Sequence, residues 1–326
     1  MKHLFIVNPV AGGRDRTQEI TSKVALTFSG REDDFEVYVT AFPLDATEKI
    51  RRESQTGETL RVYACGGDGT LNECVNGAAG FPNTAVTHFP YGTGNDFIKA
   101  FGSESSLFFD LSELINGEVR PIDLISCNGR LSVNICSVGI DARIGTSVHK
   151  YSQLPVIGGK GGYIVSTVVN LVKGITQPMH VRCADREFDG GQTLVCACNG
   201  TCYGGSFNPV PSARVDDGLI DFLIVKAVSR LTFARVVGSY AKGQFRKYPE
   251  CITHLRATEM EIESSEDMVV NIDGEAIYAN KVRFELIPGG VNFIFPANME
   301  YFKNEIEKTE AKQKNWEVSI GRGRLN

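Results

Sequence analysis

No stretch of this sequence stays apolar for long enough to cross a bilayer. The longest run, around Ile164 to Val172, is interrupted by Ser166, Thr167 and Asn170, and a spanning helix needs roughly 20 apolar residues. No secretion signal is expected either, because Met1, Lys2 and His3 precede only the short run Leu4 to Val7, which is no h-region. There is no excess of positive charge: the formal net charge of -5 offers nothing to neutralise a phosphate backbone and argues against a nucleic-acid partner. Nine cysteines are an odd number without a regular framework, so a reducing cytosol is expected. The chain also lacks the G-x-x-x-x-G-K-[ST] loop, the protein-kinase signatures and the G-x-G-x-x-G spacing. P-loop NTPases and nicotinamide dehydrogenases are thereby disfavoured.

What is present is a change of pattern partway along. At 326 residues two domains are the default. The first part alternates short β-branched runs with amphipathic stretches, as βαβ units do. Strands are expected at His3 to Val7, Phe35 to Thr40, Leu60 to Cys65 and Thr84 to Phe89. Ile20, Val24 and Phe28 recur at helical spacing between the first two. From Asp123 onward Ile122 to Ser126, Asn128-Gly129 and Leu131 to Val138 read as a hairpin with a type I′ turn. Further strands follow at His180 to Ala184, Thr193 to Asn199, Leu219 to Val225, Glu259 to Ser264, Met268 to Asp273, Val282 to Leu286 and Val291 to Phe295. Two helices, Gly162 to Val172 and Leu231 to Lys242, interrupt them. The expected division is 1–124 as an α/β nucleotide domain and 125–296 as an all-β domain. The tail 297–326 is expected to return to the first.

Three loops carry the chemistry. Cys65-Gly66-Gly67-Asp68-Gly69-Thr70-Leu71-Asn72-Glu73 leaves an expected strand and opens an expected helix. Glycines there let a ligand approach backbone N–H groups at a helix N-terminus, which makes an anion cradle. Asp68 would repel a bare phosphate, so a cation is implied, and with it a magnesium nucleotide. The plain alternative is a tight turn with an Asp cap. Pro90-Tyr91-Gly92-Thr93-Gly94-Asn95-Asp96-Phe97 and Asn8-Pro9-Val10-Ala11-Gly12-Gly13-Arg14 leave their strands in the same topological position. Such loops can converge on one crevice of an open α/β sheet. Taken singly, helix capping by Asn95 or Asp96 is the lesser reading of the first of these, while a simple turn at Gly12-Gly13 explains the second equally well.

Together, Asn8-Pro9-x-x-Gly12, Gly66-Gly67-Asp68-Gly69-Thr70-Leu71-Asn72-Glu73 and Gly92-Thr93-x-Asn95-Asp96-Phe97 resemble the catalytic domain of soluble diacylglycerol kinases and related lipid and sphingoid-base kinases. Asp216-Asp217-Gly218-Leu219 and Val270-Asn271-Ile272-Asp273-Gly274-Glu275 look like that family's second-domain motifs, in the same order. The resemblance implies a phosphofructokinase-like α/β nucleotide domain and a β-sandwich second domain. It implies an ATP- and Mg²⁺-dependent transfer of phosphoryl to a lipid hydroxyl, with diacylglycerol first among the acceptors. Asn8, Pro9, Val10, Ala11, Gly12, Thr40, Gly66, Gly67, Asp68, Gly69, Thr70, Leu71, Asn72, Thr93 and Asn95 would contact the nucleotide. Asp68, Asp96 and Asp123 look like the acidic residues near the catalytic magnesium. Asp216, Asp217 and the Leu219 carbonyl match a structural metal site. Asp273 matches the proposed general base, and Asp68 is expected to contribute to catalysis; Glu275, two residues on, would orient Asp273 if both side chains emerge on one face. Where bacterial members often carry a lysine after the first motif's glycine, this chain has Gly13 followed by Arg14.

A positioned base would help an acceptor hydroxyl lose its proton, although Asp273-Gly274 also reads as a plain hairpin turn. Cys196, Cys198 and Cys202 lack the partners of a tetrahedral metal set and read as buried thiols. The five histidines receive no role. Lys242, Arg246 and Lys247 around Phe245 read either as a solvated helix end or as an interfacial patch. The expected partners are ATP and a lipid met by peripheral membrane contact from the cytoplasm, with a homodimer allowed. Two rivals stand: a kinase of a soluble acceptor such as NAD, and a catalytically silent lipid-binding protein on the same scaffold.

Overall fold

The computed structural model describes residues 1–140, 142–143, 174–205 and 207–301. The helix expected over Gly162 to Val172 and the tail beyond Tyr301 lie outside the described residues.

The first part of the chain alternates strand and helix. β1 (Lys2–Val7), α1 (Thr17–Thr27), β2 (Asp34–Val39), α2 (Asp45–Ser54), β3 (Leu60–Gly66), α3 (Asp68–Ala78) and β4 (Thr84–Pro90) follow one another. β1 pairs in parallel with both β2 and β3, and β3 with β4. The order is therefore β2-β1-β3-β4, and β4 is buried along its whole length, as a strand covered on both faces must be. α1 buries Ile20 and Val24, and Phe28 closes its end against Phe5, the ring centroids 5.8 Å apart. A run of 3-10 turns (Phe97–Phe109) and the short α4 (Leu111–Ile115) come next; the side chain of Asp110 caps α4 by accepting from the Ser112 N–H at 2.8 Å. Phe97, Phe101 and Phe108 from this stretch pack with Phe293 and Phe295 in the first core.

β5 (Glu118–Cys127) turns through Asn128-Gly129 into β6 (Arg130–Ser132). Both turn residues take positive φ, 48° and 84°, the geometry of the expected type I′ turn. The hairpin's second strand, expected to run to Val138, breaks at Val133-Asn134. β6 stays with β5, whereas β7 (Ile135–Gly139) leaves to pair elsewhere. Antiparallel strands then accumulate: β8 (Gln177–Pro178), β9 (His180–Cys183), β10 (Arg186–Phe188), β11 (Gly191–Cys198), β12 (Ile220–Lys226), β13 (Ile252–Ala257), β14 (Glu259–Ile272) and β15 (Glu275–Phe295), with α5 (Arg230–Tyr240) between β12 and β13. Pairs of expected strands fuse in two places. Met268 continues from Glu263 across a register shift in β14, and β15 runs through a shift between Ile287 and Val291.

β15 ties the molecule together. Its first half pairs with β14, its second half with β5, and Asn292 and Phe293 lie parallel to Ala85 and Val86 of β4. All the described strands except a lone bridge thus join one sheet, whose order is β13-β12-β11-β7-β14-β15-β4-β3-β1-β2 with branches. Alternation along β11 supplies two cores: Val195 and Ala197 face one with Phe222 and Phe284, while Cys196 and Cys198 face another with Tyr240 and Phe245 under α5, following the period of two. The architecture is an α/β unit with a large antiparallel, sandwich-like β unit.

Candidate active site

Asn8, Gly67 and Tyr91 follow three neighbouring parallel strands at their C-terminal ends, the edge where open α/β sheets bind ligands. Thr40 follows β2 at the same edge and donates its backbone N–H to the Val7 carbonyl at 2.9 Å. The loops interlock. Tyr91 and Gly92 donate their backbone N–H groups to the Gly66 carbonyl at 2.8 and 3.0 Å. Asn8 Nδ2 donates to Thr70 Oγ1 at 3.1 Å, and Asn8 Oδ1 accepts from the Val10 N–H at 3.1 Å. Asn95, at a φ of 48°, accepts from the Gly92 N–H through Oδ1 and returns a bond from Nδ2 to the Gly92 carbonyl.

Steric contacts sort the glycines into two kinds. A Cβ on Gly12 would sit 2.5 Å from the Tyr91 carbonyl oxygen, one on Gly92 would sit 2.3 Å from the Gly67 Cα, and one on Gly66 would strike Thr70 Oγ1 at 2.3 Å. These residues are glycine so that loop can touch loop. Gly69 is different: it lies in the first turn of α3, its φ is not positive, and nothing stands within 4 Å of where its Cβ would be. A glycine inside a helix costs about 0.5–1 kcal/mol relative to alanine, and neither packing nor backbone geometry accounts for it here. α3 also begins without a side-chain cap, so the N–H groups of its first turn, Asp68 to Thr70, are left without a side-chain partner among the described residues at the helix start. Leu71 is fully buried and donates its N–H to the Gly67 carbonyl at 3.1 Å, anchoring this edge from beneath. Val10 and Thr93 are exposed.

Two acidic residues meet here. Asp68 accepts from the Phe97 N–H through Oδ1 at 3.1 Å, and its Oδ2 takes no hydrogen bond among the described residues. Asp96 is engaged at both oxygens, by Lys99 Nζ at 2.5 Å and by the Gly205 N–H at 2.8 Å. A Cβ on Gly94 would lie 3.1 Å from Asp68 Oδ2 and 3.6 Å from Asp96 Oδ2, so the carboxylates flank one small gap. Among the described residues no group of three His, Cys, Asp or Glu stands ready to hold a metal. A Mg²⁺ that brings phosphate oxygens with it needs only one or two carboxylates; Asp68, with Oδ2 open, suits that case, and Asp96 could join it only by giving up Lys99. Asp123 has partners of its own: its two oxygens accept from the N–H groups of Gly218 and Gly289 at 2.8 and 2.9 Å, which pins the loop before β12 and the bend in β15.

The second acidic group takes other partners. Asp216 is held by Arg214, from Nε at 3.0 Å and Nη2 at 2.9 Å. Asp217 accepts from Arg256 and from the Leu219 N–H at 3.2 Å. Arg256 also reaches Asp221, which His254 contacts at 2.6 Å. Burial raises the pKa of Asp217 and the guanidinium of Arg256 opposes it. As placed, the carboxylates of Asp216 and Asp217 do not fit a divalent cation, because arginine already answers their charge, and the Leu219 carbonyl alone makes no site.

Asp273 sits at the β14–β15 turn with a φ of 48°, and its carboxylate accepts five hydrogen bonds. Oδ2 receives Asn72 Nδ2 and the Val133 N–H, each at 2.8 Å; Oδ1 receives Ser132 Oγ at 2.7 Å, the Ile135 N–H at 3.0 Å and the Asn134 N–H at 3.2 Å. Those backbone donors are the reason the expected strand breaks at Val133. Burial raises the Asp273 pKa, and the hydrogen bonds from Ser132, Val133, Asn72 and Ile135 oppose the rise. Glu275 is not part of this knot; it is exposed, 3.9 Å from Arg130. Glu73 accepts from the backbone of Leu44 and Ala46, holding α2 against α3, and burial raises its pKa. Ser132, Lys99, Arg214 and Arg256 were not singled out from the sequence, since no local motif surrounds them. All nine cysteines are free and buried.

Comparison with known proteins matches residues 2–127 to the diacylglycerol kinase catalytic domain and residues 134–295 to the YegS C-terminal NAD kinase beta sandwich-like domain. A "Probable lipid kinase YegS-like" of Shewanella frigidimarina is 29% identical over 76% of this chain and 81% of its own. The diacylglycerol kinase of Bacillus subtilis strain 168 is 27% identical over 84% of this chain and 90% of its own. A solved Bacillus anthracis structure, described as a candidate diacylglycerol kinase, superposes with a TM-score of 0.70 at 25% identity, covering 90% of this chain and 96% of that one.

Proposed function

The chain is a lipid kinase of the diacylglycerol kinase family, and we propose that it transfers the γ-phosphoryl group of ATP to the free hydroxyl of diacylglycerol, giving phosphatidic acid. The observation that carries the nucleotide half of this reading is Gly69, a helical glycine facing open space beside uncapped N–H groups. Triphosphate oxygens at a helix N-terminus use both features. Residues 1–124 would hold ATP and residues 125–296 would shape the acceptor pocket. The Bacillus subtilis relative carries diacylglycerol in its name, which favours that acceptor over other lipids.

In this mechanism Asn8 to Gly12, Thr40, Gly66 to Asn72, Thr93 and Asn95 form the rim that surrounds the phosphates. Asp68, with Asp96 beside it, would hold Mg²⁺, which neutralises charge on the transferring group when bound. Asp273 takes the acceptor proton. Its oxygens are saturated as found, so one donor, Ser132 Oγ or Asn72 Nδ2, must turn to the substrate oxygen as the proton arrives. Asn72 lies one helical turn beyond Gly69 on α3, and that turn couples the phosphate cradle to the base. A raised pKa suits a carboxylate that must accept a proton. No helix among the described residues is long and apolar enough to cross a membrane; the proposed enzyme meets its lipid from the cytoplasmic side by peripheral contact.

The deciding experiment offers γ-labelled ATP and Mg²⁺ to the protein with a dispersed total lipid extract, and in parallel with NAD. Label running as phosphatidic acid is the expected result. Label in NADP with none in lipid would overturn it.

A further inference from the structure

Charge along this acidic chain is not evenly spread. Between Phe222 and Pro249 there is no Asp or Glu, while Lys226, Arg230, Arg235, Lys242, Arg246 and Lys247 all occur there, and all six are exposed. On the strands of the second part, by contrast, exposed cations pair with acids, as Arg182, Lys281 and Arg283 do with Glu261, Glu263 and Glu259. Among the described residues, Lys226, Arg235, Lys242, Arg246 and Lys247 form no ion pair; Arg246 lies 5.7 Å over the Phe245 ring and Lys247 bonds Gln244.

The segment is also oriented. α5 turns Val236 and Tyr240 into the core against Leu223 and Phe245. Its outer face is Arg230, Leu231, Ala234, Arg235 and Gly238, spaced as one side of a helix. Leu231 is 74% exposed, a large apolar side chain set among cations. Cations flanking an exposed apolar residue on a helix lying flat are what an anionic bilayer surface complements. Phosphate of a nucleic acid would match the charge and leave Leu231 without purpose.

We propose that the outer face of α5, continued by Lys226, Lys242, Arg246 and Lys247, docks the enzyme on the surface of an anionic lipid bilayer, with Leu231 entering the headgroup boundary. The inference deepens the lipid-acceptor reading and rests on that acceptor being presented in a bilayer. The test is cosedimentation of the full chain, without ATP, with vesicles of equimolar phosphatidylcholine and phosphatidylglycerol and with vesicles of phosphatidylcholine alone. Binding to the first and not to the second is expected. Each basic residue near an anionic surface is worth about fivefold in partitioning, so Arg235→Glu, Lys242→Glu and Lys247→Glu combined should lower it by about 10²-fold or more. Leu231→Gln should lower it severalfold. Phosphorylation of diacylglycerol in neutral detergent micelles should stay at the wild-type rate in the triple variant, and that assay reports on the kinase reading independently of docking. Equal binding to both vesicle types, unchanged binding by the triple variant, or a tighter hold on single-stranded RNA than on the anionic vesicles would overturn the proposal. If charge reversal costs helix, seen as lost ellipticity, glutamine at the same three positions decides between the same outcomes.

Discussion

Two Asp-Gly loops in this molecule look alike as text and differ as chemistry. At Gly67-Asp68-Gly69 one carboxylate oxygen has no donor among the described residues, the adjoining glycine faces open space and the helix start is uncapped. At Asp216-Asp217-Gly218 each carboxylate meets an arginine, and Gly218 is required by a φ of 72°. The first loop is left open for something that brings charge; the second is complete within the protein. A glycine or an aspartate therefore means little until it is clear whether the fold itself already uses what the residue offers.

The largest effect that would test this contrast is at the knot joining the open loop to the second part of the chain. Asp273→Asn should lower turnover by about 10²–10⁴-fold, the span typical of a general base. Ser132→Ala, which removes one donor and keeps the carboxylate, should keep most of the rate while lowering the melting temperature. Equal rate losses in both would make Asp273 a structural clamp only.

Acid gives a way to loosen the first part of the molecule selectively. His3, fully buried in β1 against Tyr63, has its pKa pushed down to about 4 by burial and by Arg61 and Arg31 nearby, against the pull of Asp33. Below about 6.5 the unfolded chain binds a proton that the folded chain refuses, so stability present above that pH is lost as pH falls towards about 4. The loss amounts to roughly 3 kcal/mol. Denaturant titrations across that window should show it, and His3→Gln should flatten the dependence.

Smaller and opposite effects are expected at the two glycines. Gly69→Ala should raise stability by about 0.5–1 kcal/mol and weaken ATP binding. Gly218→Ala should lower stability by about 1 kcal/mol through its left-handed backbone and leave ATP binding unchanged. Thermal melts with and without nucleotide check both, and matching behaviour at the two sites would erase the contrast. Smallest of all, Arg256→Gln should shift stability by under about 1 kcal/mol, since its pair with Asp217 is partly exposed to solvent and the buried Asp221 keeps His254.

Much of this was legible in the sequence. Buried parallel strands announce themselves as β-branched runs, and Asn128-Gly129 specifies its turn through two positive φ values, so the α/β start and the change of pattern after Asp123 could be read. The three loops could be placed on one edge because strand ends and glycines are local signals. The partners of the acids could not. Asp273 meets Ser132 across 141 positions, and Asp217 meets Arg256 across 39. Such pairings depend on tertiary placement and leave no periodicity. The same holds for the break at Val133, which an alternating pattern would carry straight through, and for β15, of which only Val282 to Leu286 and Val291 to Phe295 read as strands, separated where Gly289 and Gly290 bend it.

The account turns on whether the open loop receives a metal-bound triphosphate. Calorimetric titration of ATP into the wild-type protein and into Gly69→Val, each with and without Mg²⁺, tests that directly. Saturable, Mg²⁺-dependent binding is predicted for the wild type, weakened by at least about tenfold in the variant with its fold intact, a loss equivalent to about 1.4 kcal/mol. Binding of equal strength in both proteins, or none in either, would contradict it.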